Sequence, residues 1–192
     1  MVRVRGPVRV LLAVEVEHPR AAQAGRVLRT AARDYARALK LDGRELSLSL
    51  VSDRRIRALN RKWRGHDRAT DVLSFPLGES PRARGSGPVG DVVISLPTAL
   101  RQAGEGGWSL ARELRRLLAH GLLHCLGHDH GTRAQALRMA RAERRLLGDE
   151  GMVGASLVML PKSTRSSMGS VVSHQRRPSC SRARLKRRRS FG

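Results

Sequence analysis

Four histidines and an aspartate fall within the eleven residues HGLLHCLGHDH, positions 120 to 130. On a helix, His120 and His124 project from one face a turn apart, the spacing by which a helix offers two imidazoles to one metal ion. Gly127 can adopt the left-handed conformation that ends helices, and a reversal there lets His130 reach the same point. Three nitrogen ligands with a fourth position open is the arrangement of a catalytic zinc, because structural sites are usually closed by four protein ligands. The candidate ligands are therefore His120, His124 and His130. His128 and Asp129 are weaker as ligands, since residues so close to the turn can point away from the ion. Asp129 could orient an imidazole through its carboxylate. Cys125, next to a ligand on the helix, faces elsewhere and reads as a packing residue.

A zinc peptidase of this helical type carries glutamate directly after its first histidine, as general base. Here that position is Gly121. The peptidase reading keeps the scaffold without its base and becomes the alternative, beside a binding factor whose metal only braces the fold.

Strands alternating with helices must position these residues. Val8, Val10, Leu12, Val14 and Val16 recur with period two and predict a strand. Helical spacing of Ala24, Val27, Leu28, Ala31, Tyr35 and Leu39 predicts a helix from Pro19 to Lys40. Leu46, Leu48 and Leu50 make a second strand, after which Ser52-Asp53 offers an N-cap to a helix reaching about Trp63. DVLSF reads as a short strand ended by Pro76, GESPRARGSGP as a surface loop, and VGDVVISL as a strand buried on both faces. Ser109 caps the helix that carries the histidines, with Leu110, Leu114, Leu117, Leu118, Leu122 and Cys125 inward, and a last helix runs from about Arg133 to Leu147.

The chain has 192 residues, with 38 Lys and Arg against 16 Asp and Glu, a net charge of +22. One globular unit is the expectation at this length, and a polyanion such as nucleic acid is the partner that such a charge favours. Residues 151–192 carry ten basic and no acidic side chains, which leaves residues 1–150 at +12. The basic balance thus belongs to the domain, 1–150, as well as to the tail, 151–192, whose Ser, Arg and Gly composition predicts disorder. Two distant cysteines, Cys125 and Cys180, give no disulfide framework and suit a reducing compartment. The N-terminal apolar run is interrupted by Arg9 and closed by Glu15 and Glu17, so it reads as a strand rather than a secretory signal. No stretch approaches the ~20 apolar residues of a membrane helix, and the expected location is the cytoplasm.

HGLLHCLGHDH resembles the HGxLHLxGYDH signature of the YbeY family of bacterial metal-dependent endoribonucleases and ribosomal RNA maturation factors. LNRKWRGHDRATDVLSFP, from Leu59 to Pro76, is similar to that family's LNxxxRxxDxxTDVLSFP, and GDVVIS at 90–95 and Met139 with Glu143 match further on. The resemblance implies an α/β (α+β) domain of zincin-like class, with a small mixed β-sheet and packed helices. It implies one zinc ion on His120, His124 and His130, and Arg64 in the cleft near the metal. It also implies cleavage of single-stranded RNA in maturation of the 3′ end of 16S ribosomal RNA and in late 70S ribosome quality control. No small-molecule cofactor is expected. Because Gly121 leaves the general base unnamed, His128 and Asp129 are the nominees for proton transfer. The tail inherits nothing from the family.

Overall fold

The computed structural model of the chain describes residues 6–77 and 87–148. Its elements are β1 (Arg9–Glu15), α1 (Ala21–Ala38), β2 (Glu45–Val51), α2 (Asp53–Arg64), β3 (Val72–Pro76), β4 (Pro88–Ser95), α3 (Leu96–Gly106), α4 (Leu110–Cys125) and α5 (Arg133–Leu147). The four strands form one sheet in the order β1-β2-β4-β3. β1, β2 and β4 run parallel, with Leu12 opposite Leu48 and Leu48 opposite Val92. β3 is antiparallel on the edge of β4, with Val72 opposite Ile94. The sheet is therefore small and mixed, as the family resemblance implied.

Period-two alternation divides the apolar residues between two faces. Leu46, Leu48, Leu50, Val92 and Ile94 point to one side, where Ala24, Leu28 and Ala31 of α1 and Leu114, Leu117, Leu118 and Leu122 of α4 bury them in the main core. Val51, Leu73 and Val93 point to the other side and are covered by Ile56 and Leu59 of α2, with Ala69 and Phe75 at the margin. α2 contacts β3 and β4. Leu11, in β1 on the same face, stays 41% exposed.

Four of the five described helices start at a capping side chain, and α1 does not. Ser52, Ser95 and Ser109 accept backbone N–H bonds from Arg55, Thr98 and Arg112, and Thr132 with Gln135 forms a capping box ahead of α5. α1 is two residues shorter at each end than the spacing predicted.

α3 was not legible in the sequence, which read the run through Leu96 as strand. Ser95 serves both as the last residue of β4 and as the N-cap of α3, and Pro97 occupies the first turn, where it needs no N–H partner. Gly104, Gly106 and Gly107 dilute the helical signal over its second half.

The basic segment 151–192 and most of the GESPRARGSGP stretch lie outside the described residues. Among those described, no helix is long and apolar enough to cross a membrane.

Candidate metal centre

α4 brings the first two histidines together because its opposite face is anchored. Leu114, Leu117, Leu118 and Leu122 are at most 1% exposed. Glu113, fully buried, accepts hydrogen bonds from Trp108 Nε1 and from the Arg116 guanidinium. With that face fixed, His120 and His124 meet at their Nε2 atoms, 3.2 Å apart. Gly121 lies against the sheet: a Cβ there would stand 2.8 Å from Val92 Cγ1 and 3.2 Å from Val72 Cγ2. The glycine that removes a peptidase's base is thus also the residue that lets α4 approach β3 and β4.

The helix ends as its glycine predicted. Gly127 has φ 81°. Its N–H donates to the His124 carbonyl at 2.9 Å, and the His128 N–H donates to the Leu123 carbonyl at 3.0 Å, the pair of bonds that defines a Schellman motif. The reversed chain carries His130 back, so that one donor atom from each of His120, His124 and His130 lies within 4.8 Å of the others. Asp129 Oδ1 accepts from the His130 backbone N–H at 2.7 Å. Asp129 thereby holds the returning loop. The His128 side chain is half-buried beside it.

A carboxylate that orients an imidazole comes from α5. Glu143 Oε1 lies 2.7 Å from His120 Nδ1. Met139, 3% exposed, buries α5 one turn earlier on the same face, and α5 packs on α4. Glu143 fixes the tautomer, keeping the proton on Nδ1 and leaving Nε2 as the lone-pair donor. The sequence motif contained Glu143 but gave it no role; its one-turn offset from an inward-facing methionine was the available signal.

Burial pushes the His124 imidazole below its ordinary range, and the neighbouring His120 and His130 push it the same way against a hydrogen bond that the ring donates to the His128 backbone. The site therefore favours the neutral ring, the form that binds metal. The His120 and His124 pair suits one divalent ion: two bonds of ~2.0–2.1 Å at a tetrahedral angle span about 3.3 Å, close to their Nε2 separation, and His130 offers a third nitrogen within 4.8 Å. His130 is exposed while His120 and His124 are half-buried, so the centre opens to solvent on one side.

Arg64 reaches β3 from α2. It is the last residue of α2, which Gly65 terminates, and its Nη2 donates to the Ser74 carbonyl at 3.2 Å. The link to the metal centre runs through the strand. Phe75, next along, puts its carbonyl beside Cys125, the neighbour of His124, and both atoms crowd Gly90, where a Cβ would stand 2.6 Å and 2.7 Å from them. Burial raises the Cys125 thiol to about 12, which agrees with a packing role.

The sequence profile of the family described as Endoribonuclease YbeY matches residues 14–150. The chain is 54% identical over 154 residues to an "Endoribonuclease YbeY" of Myxococcus xanthus, covering 80% of this chain and 52% of that one. It is 59% identical over 142 residues to a protein of the same name from Anaeromyxobacter sp. strain Fw109-5, covering 73% of this chain and 72% of that one. The alignment therefore spans about half the length of the Myxococcus relative. A solution structure of a Thermotoga maritima protein superposes with a TM-score of 0.48 at 20% identity, over 81% of this chain and 99% of the other.

Proposed function

This chain belongs to the YbeY endoribonuclease family, and on that premise we propose that it is a zinc-dependent endoribonuclease acting on single-stranded RNA. The observation that carries the reading is the convergence of His120, His124 and His130 beside an open position, with Glu143 fixing the tautomer of His120.

One zinc ion held by His120, His124 and His130 would supply Lewis acidity toward a phosphoryl oxygen or a water molecule. The chain's own residues then divide the remaining tasks. Arg64, tied to β3 by Ser74, presents a planar and permanently charged fork to the phosphate and offsets charge that builds on its oxygens. His128 and Asp129 are the titratable groups on the returning loop and are assigned to proton transfer. The +22 charge of the chain draws the polyanion in. The substrate we assign is the 3′ end of 16S ribosomal RNA, with a role in late ribosome quality control, in the cytoplasm. Those assignments rest on the family resemblance.

The test is incubation of the full chain with single-stranded RNA, with duplex RNA and with an unstructured protein, each with and without chelator. We expect cleavage of the single strand only, lost with chelator and restored by zinc. Proteolysis would overturn the reading in favour of a peptidase. RNA binding without cleavage, with chelator lowering only the melting temperature, would make the metal structural.

A further inference from the structure

Adjacent residues of α2 clasp adjacent residues of β3: Arg64 bonds the Ser74 carbonyl, while the Trp63 ring meets Phe75 edge-on at 6.1 Å between centroids. Ile56, Leu59 and Trp63 follow helical spacing on the inward face of α2, and the first two cover the smaller core. Trp63 comes one turn later, where that core ends, and remains 56% exposed. The chain has only two Trp, one Tyr and two Phe. Tyr35 is buried, and Trp108 is hydrogen-bonded to Glu113. Trp63 is the one exposed Trp, Tyr or Phe ring among the described residues.

Its surroundings are cationic. The Lys62 ammonium stands 4.9 Å from the Trp63 ring centroid, and Arg61 and Arg64 flank it on the same exposed turn. Leu77, 53% exposed, continues the apolar strip past Pro76. The strand beneath is the edge strand of the sheet among the described residues. Ser95 N–H bonds the Asp71 carbonyl and Leu77 N–H bonds the Val89 carbonyl, so by antiparallel alternation the Ser74 backbone groups face outward, where Arg64 takes the carbonyl.

An exposed ring held from below and ringed by cations is how proteins grip single-stranded nucleic acid: bases stack on the ring while the backbone follows the positive charge. We propose that Trp63 is a stacking platform for one unpaired nucleobase of the RNA, with Lys62 and Arg61 holding the adjoining phosphates. This rests on the nuclease reading above and deepens it: a paired base keeps its faces within the helical stack and cannot use the ring, so Trp63 contributes to single-strand selectivity.

The experiment measures binding of a labelled single-stranded oligouridine and of a duplex of equal length to the full chain in chelator, and then KM and kcat with zinc restored. Stacking is worth ~1–3 kcal/mol per base, so Trp63→Leu, which keeps apolar cover over Phe75 without a π face, should weaken single-strand binding about 5- to 150-fold. Duplex binding and melting temperature should hold, KM should rise far more than kcat falls, and Trp63→Phe should retain most of the affinity. Unchanged single-strand affinity in Trp63→Leu overturns the platform, as does an equal loss toward both RNAs. Absence of cleavage by the wild-type chain would sink the nuclease reading instead, and the binding comparison would still decide the role of Trp63.

Discussion

Glu143 on α5 holds Nδ1 of His120 on α4 at 2.7 Å, with the two side chains 27% and 32% exposed. A cation stands near: Arg116, one turn before His120, feels the Glu143 charge. Metal affinity typically falls about 10- to 100-fold when such an orienting partner is lost. We expect that range for Glu143→Ala, measured by zinc competition, with only a small change in melting temperature because the pair is partly solvated. Unchanged zinc affinity would remove Glu143 from the site.

Gly121 tests whether packing or chemistry keeps that position empty of a side chain. Alanine gains about 1 kcal/mol of helix propensity, while overpacking against Val92, 2.8 Å from the new Cβ, costs about 1–3 kcal/mol. Gly121→Ala should therefore be near neutral to modestly destabilising in a urea melt. Gly121→Glu adds an unpaired charge at a buried position and should lose several times more. It should show no cleavage of an unstructured protein, although it restores the peptidase's motif.

Asp53 ties the start of α2 to the end of β4 and to α3. Its Oδ1 accepts from the hydroxyls of Ser95 and Thr98, and its Oδ2 from Arg101 at 2.8 Å. Burial would raise this carboxyl, but the hydrogen bonds from Ser95, Thr98 and Arg101 and the Arg101 charge outweigh it and hold it below the ordinary range. The folded state thus binds its proton more weakly than the unfolded chain. The resulting stabilisation is fully present above the ordinary carboxylate value of about 4 and is lost as pH falls through the lower folded value. Asp53→Asn should lower stability at pH 7 by roughly 1–2 kcal/mol, and the gap to wild type should narrow below about pH 4. A gap constant from pH 7 to pH 3 would contradict this assignment.

Arg64 should separate binding of the metal from use of it. Its guanidinium donates to the Ser74 carbonyl, and it is not among the candidate ligands. Arg64→Ala should retain zinc at wild-type stoichiometry while RNA cleavage falls about 100-fold or more, the scale for loss of one electrostatic donor to a transition state. Cleavage at the native rate would count against its role.

Much of this was legible in the sequence because the signals were local. The H-x3-H spacing on an amphipathic helix and the glycine past its end are enough to bring His120, His124 and His130 together, since one turn and one reversal fix all three. Capping serines placed α2 and α4. What stayed hidden depends on contacts between distant elements. α3 begins on a residue that also ends a strand, so neither period shows at the junction. Glu143 acts on His120 only because Met139 seats α5 against α4. Asp129, expected as a helper to an imidazole, also bonds the His130 backbone N–H, a short-range contact that loop composition alone does not distinguish. Trp63 marked only the approximate end of a helix in the sequence, and its exposure depends on where the smaller core ends.

The central claim is that the three-histidine centre is the seat of RNA cleavage. His124→Ala removes the half-buried middle donor, and the direct measurement is zinc content alongside cleavage of a single-stranded RNA by the same folded preparation. We expect one zinc per wild-type chain and cleavage, and in the variant the loss of both together with the melting temperature of metal-free wild type. Cleavage at the wild-type rate by zinc-free His124→Ala protein would contradict the account.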